Sequence, residues 1–308
     1  MSPKTLPEKK GAAKQASMAY NDEQQPLHLH VLFFPFVAPG HLIPVADMAA
    51  LFASHGIKCT ILTTHVNAAV IRSVVDRAND AVRGTGAPTI DISTVPFPDV
   101  GLAPGVESVV GICSEADRSK LLEAVQLLRE PFDRFLADHR PDAVVADSFY
   151  PWTTDTAAEH GVPRLCFLGT SMFARACNAS LLCSNTLELE GLPPDDPDAI
   201  VSLPGLPHRV TLRRGQVMDP RKNELEWNYG KLVNAADQRS YGEVFNSFAE
   251  LAPDYVERHH TTLGLGHRVW LVGPVAHARD AARTWRRGAA PKGSRPRRKG
   301  ACDGSTRS

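Results

Sequence analysis

The sequence predicts an α/β protein built on a doubly wound, parallel, Rossmann-like sheet, and three observations carry that prediction. Short, nearly continuous apolar runs recur along the chain. They alternate with segments of helical periodicity, and the connections between them are short. An apolar run of four to eight residues suits a strand buried on both faces, and repeated strand-helix alternation implies right-handed crossovers in one parallel sheet.

The first run, His30 to Phe36, ends in the turn Ala38-Pro39-Gly40-His41. From Leu42 the apolar positions Ile43, Ala46, Ala49, Ala50 and Ala53 fall at three- and four-residue steps until Gly56 stops the helix. A strand comes next over Ile57 to Thr64, then a helix near Asn67 to Ala78 and a strand Thr89 to Val95. Glu107 to His139 reads as a long amphipathic stretch broken at Pro131. Beyond it lie strand Ala143 to Ala146, helix Trp152 to His160, strand Arg164 to Leu168 and helix Ser171 to Leu182.

Glu188 to Pro220 is rich in Pro and Asp and reads as an irregular loop over the sheet. Helical periodicity returns at Leu232 to Arg239. A strand is expected at Tyr241 to Ser247, its helix at Ala249 to His259, and a last strand at Arg268 to Val272. The sheet-forming domain is therefore placed at 27–276. Residues 1–26 are polar and aperiodic and read as a flexible leader. Residues 277–308 form a basic tail in which Lys and Arg greatly outnumber the single acid beyond Thr284, Asp303, with almost nothing to bury.

Composition narrows the function classes. Hydrophobic residues make up 43% and charged residues 22%, with 34 basic residues against 34 acidic ones, so no global field draws the chain to nucleic acid or an anionic membrane. The tail lacks aromatic interleaving beyond Trp285, and a nucleic-acid partner is not expected. No apolar run reaches the roughly 18 residues of a membrane span, and no apolar core of a signal peptide is present, so the cytoplasm is the expected compartment. The six cysteines form no C-x-x-C pair and read as reduced, mostly buried thiols, with no metal site.

Ligands of open parallel sheets sit beyond the carboxyl ends of the strands, which directs attention to His41 and Asp147. His41 comes after the first strand at the mouth of a helix, where unpaired amides disfavour imidazolium; a neutral ring there suits a general base. Asp147 comes after the fourth strand, and its carboxylate suits holding one ring nitrogen of a histidine. Each has a plainer reading, His41 as a structural turn residue and Asp147 as the N-cap of the next helix. Local sequence does not decide between them. G-x-G-x-x-G after the first strand, G-x-x-x-x-G-K-[ST], G-x-S-x-G and H-E-x-x-H are all absent.

The stretch VLFFPFVAPGHLIPVADMAALFASHGIKCTILTT resembles the opening of plant secondary-product UDP-glycosyltransferases, with Gly40-His41-Leu42-Ile43-Pro44 as their G-H-x-x-P motif. PDAVVADSFYPWTTDTAAEHGVPRLCFLGTSMF resembles the central strand-turn-helix of that family. VFNSFAELAPDYVE and RVWLVGPV resemble its later segments, so the likeness runs over about 28–276. The resemblance implies the N-terminal domain of a GT-B fold, with His41 as general base and Asp147 as its partner. It also implies His41 and Phe149 as acceptor contacts, and Thr170 and Ser171 near the donor sugar. Core packing is the plainer reading of Phe149.

The function implied by the resemblance is inverting transfer of a hexose, glucose by expectation, from a UDP-sugar to a hydroxyl of a phenolic, flavonoid or terpenoid acceptor. The UDP-sugar is a co-substrate, and no cofactor or metal is expected. The family's carboxyl-terminal donor-binding signature is not found, and the likeness gives way to the Arg-rich tail after Val275. A shifted reading frame or mispredicted gene model would produce such a break, which sequencing the transcript beyond the codon for Ala276 tests. On this reading the chain alone has little or no transferase activity. The alternative is a non-catalytic acceptor-binding or interaction half-protein.

Overall fold

A computed structural model of the chain describes residues 29–184, 191, 196–263 and 268–276. The expected leader 1–26 and basic tail 277–308 lie outside the described residues, as does part of the expected loop 188–220.

The sheet begins with β1 (His30–Phe34), α1 (Pro39–Ser54), β2 (Lys58–Thr64), α2 (His65–Val82) and β3 (Ile90–Val95). Helices α3 (Glu115–Leu127) and α4 (Arg129–His139) lead to β4 (Ala143–Asp147), α5 (Thr153–Glu159), β5 (Arg164–Leu168) and α6 (Met172–Ser184). A hairpin of β6 (Ile200–Leu203) and β7 (Val210–Arg213) precedes α7 (Glu224–Gln238), β8 (Gly242–Phe245), α8 (Pro253–Leu263) and β9 (Arg268–Leu271). Seven strands form one sheet in the order β3-β2-β1-β4-β5-β8-β9, and every pair within it is parallel.

The alternation of β1 explains the two-sided core. Val31 and Phe33 face a cluster with Leu42, Val45, Ile61 and Ile71, supplied by α1, β2 and α2. Leu32 and Phe34 face the opposite cluster, with Leu121, Phe132 and Tyr150. Successive side chains of a strand point to opposite faces, and burying each large apolar side chain contributes about 1.5–3 kcal/mol. An apolar run without polar interruption is the sequence this position requires.

Three expectations are corrected. The amphipathic stretch breaks at Leu128 rather than Pro131, which lies in the first turn of α4. Lacking an N–H, Pro131 cannot bond the Leu127 carbonyl four residues earlier, so α3 ends there. The loop expected at 188–220 contains the antiparallel β6–β7 hairpin, whose Val201 and Leu203 pack with Leu181, Leu182 and Trp227. Four-residue strands carry too few alternations to stand out among prolines. Finally, α7 starts at Glu224, eight residues before Leu232, where Asn223 caps it by accepting a 3.0 Å hydrogen bond from the Glu226 amide.

The cysteines also depart from expectation. Cys59 and Cys166 are buried, but Cys113 and Cys183 are exposed and Cys177 is intermediate; all five described are free. Burial pushes the Cys59 thiol up to about 12.

At the β8–β9 edge the backbones approach so closely that a Cβ on Gly242 would lie 2.6 Å from the Arg268 carbonyl oxygen. Gly242→Ala is therefore expected to destabilise the fold by about 1–3 kcal/mol, measured as a lower urea midpoint. An unchanged midpoint would mean that β9 is not seated against β8.

Candidate active site

Strand order brings the two singled-out residues together. The chain leaves β1 toward β2 on one side and later returns to place β4 on the other, so β1 and β4 flank the topological switch point, where parallel sheets open a crevice. Phe34 pairs with Ala146, and Asp147 is the last residue of β4. His41 lies in the first turn of α1 rather than in the preceding turn, because Pro39 starts the helix two residues earlier. Across 106 residues of sequence, His41 Nδ1 lies 2.7 Å from Asp147 Oδ2.

This contact fixes the tautomer. An ionised carboxylate only accepts, so Nδ1 carries the proton and donates it, leaving the lone pair on Nε2. Asp147 is 1% exposed and His41 26%. The second carboxylate oxygen, Oδ1, accepts a 3.0 Å bond from the Phe149 amide, and α5 begins after Trp152, so Asp147 is not its N-cap. The expectation that the helix end depresses the basicity of His41 is corrected. Burial is the largest influence and lowers it, but the hydrogen bond and charge of Asp147 together outweigh burial, and the imidazole sits above its ordinary 6.5.

The pair opens on a cavity of ≈ 710 Å³. Phe36, His41, Phe149, Thr170 and Tyr229 are among the residues lining it, with Leu121 and Met218 contributing apolar wall. Phe149 is 42% exposed, with its ring 5.1 Å from Phe36 and 5.6 Å from the His41 ring; its side chain faces open space rather than core. Ser171 is placed differently from Thr170. It does not line the cavity, and its hydroxyl accepts a 3.3 Å bond from the Ala174 amide at the start of α6. Among the described residues no group of three His, Cys, Asp or Glu side chains is arranged to hold a metal ion, and no helix is long and apolar enough to cross a membrane.

No family model matches the chain. Among curated proteins it is 38% identical over 253 residues to scopoletin glucosyltransferase of Nicotiana tabacum, covering 80% of this chain and 51% of the relative. It is 36% identical over 254 residues to anthocyanin 3'-O-beta-glucosyltransferase of Gentiana triflora, covering 80% and 50%. Among solved structures, UGT73P12 of Glycyrrhiza uralensis, complexed with glycyrrhetinic acid 3-O-monoglucuronide, superposes with a TM-score of 0.70 at 34% identity. That match covers 81% of this chain and 49% of the other. The chain's homologues are plant UDP-glycosyltransferases.

The chain spans about half the length of the curated glycosyltransferases it matches. Its parallel α/β sheet is the fold it shares with the solved glycosyltransferase. Sequence reasoning missed Arg118, Glu226 and Tyr229 among the residues that line the cavity. Tyr229 donates a 2.6 Å hydrogen bond to the Phe149 carbonyl, and Arg118 meets Glu226 at 3.2 Å between α3 and α7. The capping pattern Asn223-Glu224-Leu225-Glu226 is the signal that would have placed Glu226 and Tyr229 on one helix.

Proposed function

We propose that this chain forms the acceptor side of a UDP-sugar-dependent glycosyltransferase, with His41 as general base and Asp147 as its partner. The carrying observation is the 2.7 Å contact between His41 Nδ1 and Asp147 Oδ2 at the wall of the ≈ 710 Å³ cavity. A hydroxylated phenolic, flavonoid or terpenoid acceptor lies against Phe36 and Phe149. His41 Nε2 takes the hydroxyl proton while the oxygen attacks the anomeric carbon of the UDP-sugar. The bond from that carbon to the UDP oxygen breaks, UDP leaves with the electron pair, and configuration inverts. Asp147 stabilises the imidazolium formed in this step.

The donor is a UDP-hexose, with glucose favoured by the names of the relatives, and Thr170 is the cavity residue assigned to its sugar; Ser171 acts on the same segment by capping α6. No step calls for a metal or cofactor. The test is incubation of the purified chain with UDP-glucose and a panel of phenols, flavonoids and terpenoid alcohols, with products read by mass and by the coupling constant of the anomeric proton. A β-linked glucoside supports the reading, and an α-linked product refutes inversion.

A second reading is acceptor binding without turnover, favoured by the apolar and aromatic lining of the cavity, with Phe36, Leu121, Phe149 and Met218 offering surface to a ring. Attack requires donor and acceptor to be held together in near-attack geometry. Acceptor binding with no product and no affinity for UDP-glucose selects this reading. Under both, Phe149→Ala is expected to weaken acceptor binding about five- to tenfold, the loss of roughly 1 kcal/mol of ring contact. Fluorescence titration measures it, and unaltered affinity would remove Phe149 from the acceptor surface.

A further inference from the structure

Beneath the cavity lies a buried ionic cluster with no assigned part in the proposed transfer. Asp237, on the last turn of α7, is 0% exposed. Its Oδ2 accepts a 2.6 Å hydrogen bond from the Ser148 hydroxyl, and its Oδ1 lies 2.9 Å from Cys166 Sγ. Arg164 Nη1 approaches Oδ1 at 3.5 Å and Arg175 Nη2 approaches Oδ2 at 3.8 Å. Arg164 also donates through Nη2 to the backbone carbonyl of Asp147 at 3.0 Å, and through Nη1 to the Ser240 hydroxyl at 2.6 Å.

Stability alone is a poor reason for such a cluster. Buried ion pairs lose solvation that their attraction often fails to restore, and apolar replacements of similar volume are frequently neutral or stabilising. This cluster is also incompletely satisfied, since the buried Nε atoms of Arg164 and Arg175 have no hydrogen-bond partner among the described residues. What it does provide is geometric. Asp147, which ends β4, and Ser148, which follows it, are gripped at two points, the Asp147 carbonyl by Arg164 and the Ser148 side chain by Asp237, and both grips meet at the Asp237 carboxylate.

We propose that Asp237 is a positioning residue for the His41–Asp147 pair, acting through Ser148 and Arg164 to hold the Asp147 carboxylate at hydrogen-bond distance from the imidazole. This rests on the proposed role of that pair as base and partner. A carboxylate whose backbone could turn would lose the 2.7 Å contact; the pairing of β4 with β5 holds the peptide unit before the Asp147 Cα, Arg164 and the anchored Ser148 hold the one after it, and only the side-chain torsions are left to settle.

The test is the titration of the His41 imidazole, followed by its carbon-bound proton signals in NMR, in the full chain. The ionisable groups facing the same cavity are Asp147 from β4, Arg118 from α3, Arg175 from α6, and Glu226 and Tyr229 from α7; the variants alter none of them except Asp147 in the reference. Asp147→Asn is that reference and is expected to move the His41 midpoint down. Ser148→Ala and Asp237→Asn are expected to move it in the same direction by a smaller amount, and Ser148→Thr, which keeps the hydroxyl, to restore it. Ser148→Ala carries the test if Asp237→Asn fails to fold, and the thermal midpoint of each variant monitors folding.

An unmoved His41 midpoint in Ser148→Ala and Asp237→Asn, with Asp147→Asn shifted, overturns the positioning role while leaving the dyad intact. An unmoved midpoint in Asp147→Asn overturns the dyad itself and this inference with it.

Discussion

Replacing His41 by glutamine is expected to lower glycosyl transfer by about 10²–10⁴-fold, the contribution typical of a positioned general base, while acceptor affinity changes little. Glutamine keeps a polar side chain of similar reach beside Asp147 but cannot take a proton at neutral pH. In a steady-state assay with a phenolic acceptor the loss therefore falls on kcat rather than KM. An equal rise in KM with kcat preserved would make His41 a binding residue. His41 supplies only one partly exposed ring at the start of α1, so Gln is expected to leave the thermal midpoint close to that of the parent chain.

Asp147→Asn is expected to act in two ways. Transfer at the plateau falls by on the order of 10²-fold, because the charge that stabilises imidazolium is lost. The acid limb of the pH profile moves down, because the hydrogen bond and charge of Asp147 are what hold His41 above its ordinary 6.5. The base works when neutral, so transfer in the parent chain falls as pH drops through the raised folded value. Stability has the opposite sign: the pair's contribution is fully present below 6.5, the unfolded value, and is lost as pH rises through the folded one. A profile unaltered in Asp147→Asn would break the link between geometry and basicity.

The parts of this fold that sequence can show are those in which one local pattern suffices. β1 and β4 are legible because strands buried on both faces must be apolar at consecutive positions, and α1 because its alanines and Leu42 share one side. The β6–β7 hairpin is not, since β6 buries only Val201 and Leu203 and β7 half-buries only Val210 and Leu212, among Pro, Gly and Arg. The early turns of α7 are hidden because Trp227 and Tyr229 serve different neighbours, a core cluster and the cavity.

The site divides along the same line. His41 and Asp147 are each visible as polar residues after a strand, but their contact depends on β1 and β4 being sheet neighbours, which no short-range pattern contains. The basicity of His41 turns on that contact: helix end and burial both argue for a depressed value, and the carboxylate 2.7 Å away reverses the outcome. Asp237 is one more position in a periodic segment as far as sequence can tell, and its grip on Ser148 joins residues 89 apart in the chain.

The most direct measurement is a crystal structure of the chain with a bound phenolic acceptor. The reacting hydroxyl is predicted to lie about 2.6–3.2 Å from His41 Nε2, with the acceptor ring against Phe36 and Phe149. An acceptor seated in the smaller cavity beside Arg258 and His259, or one whose hydroxyls all point away from His41, would contradict the account.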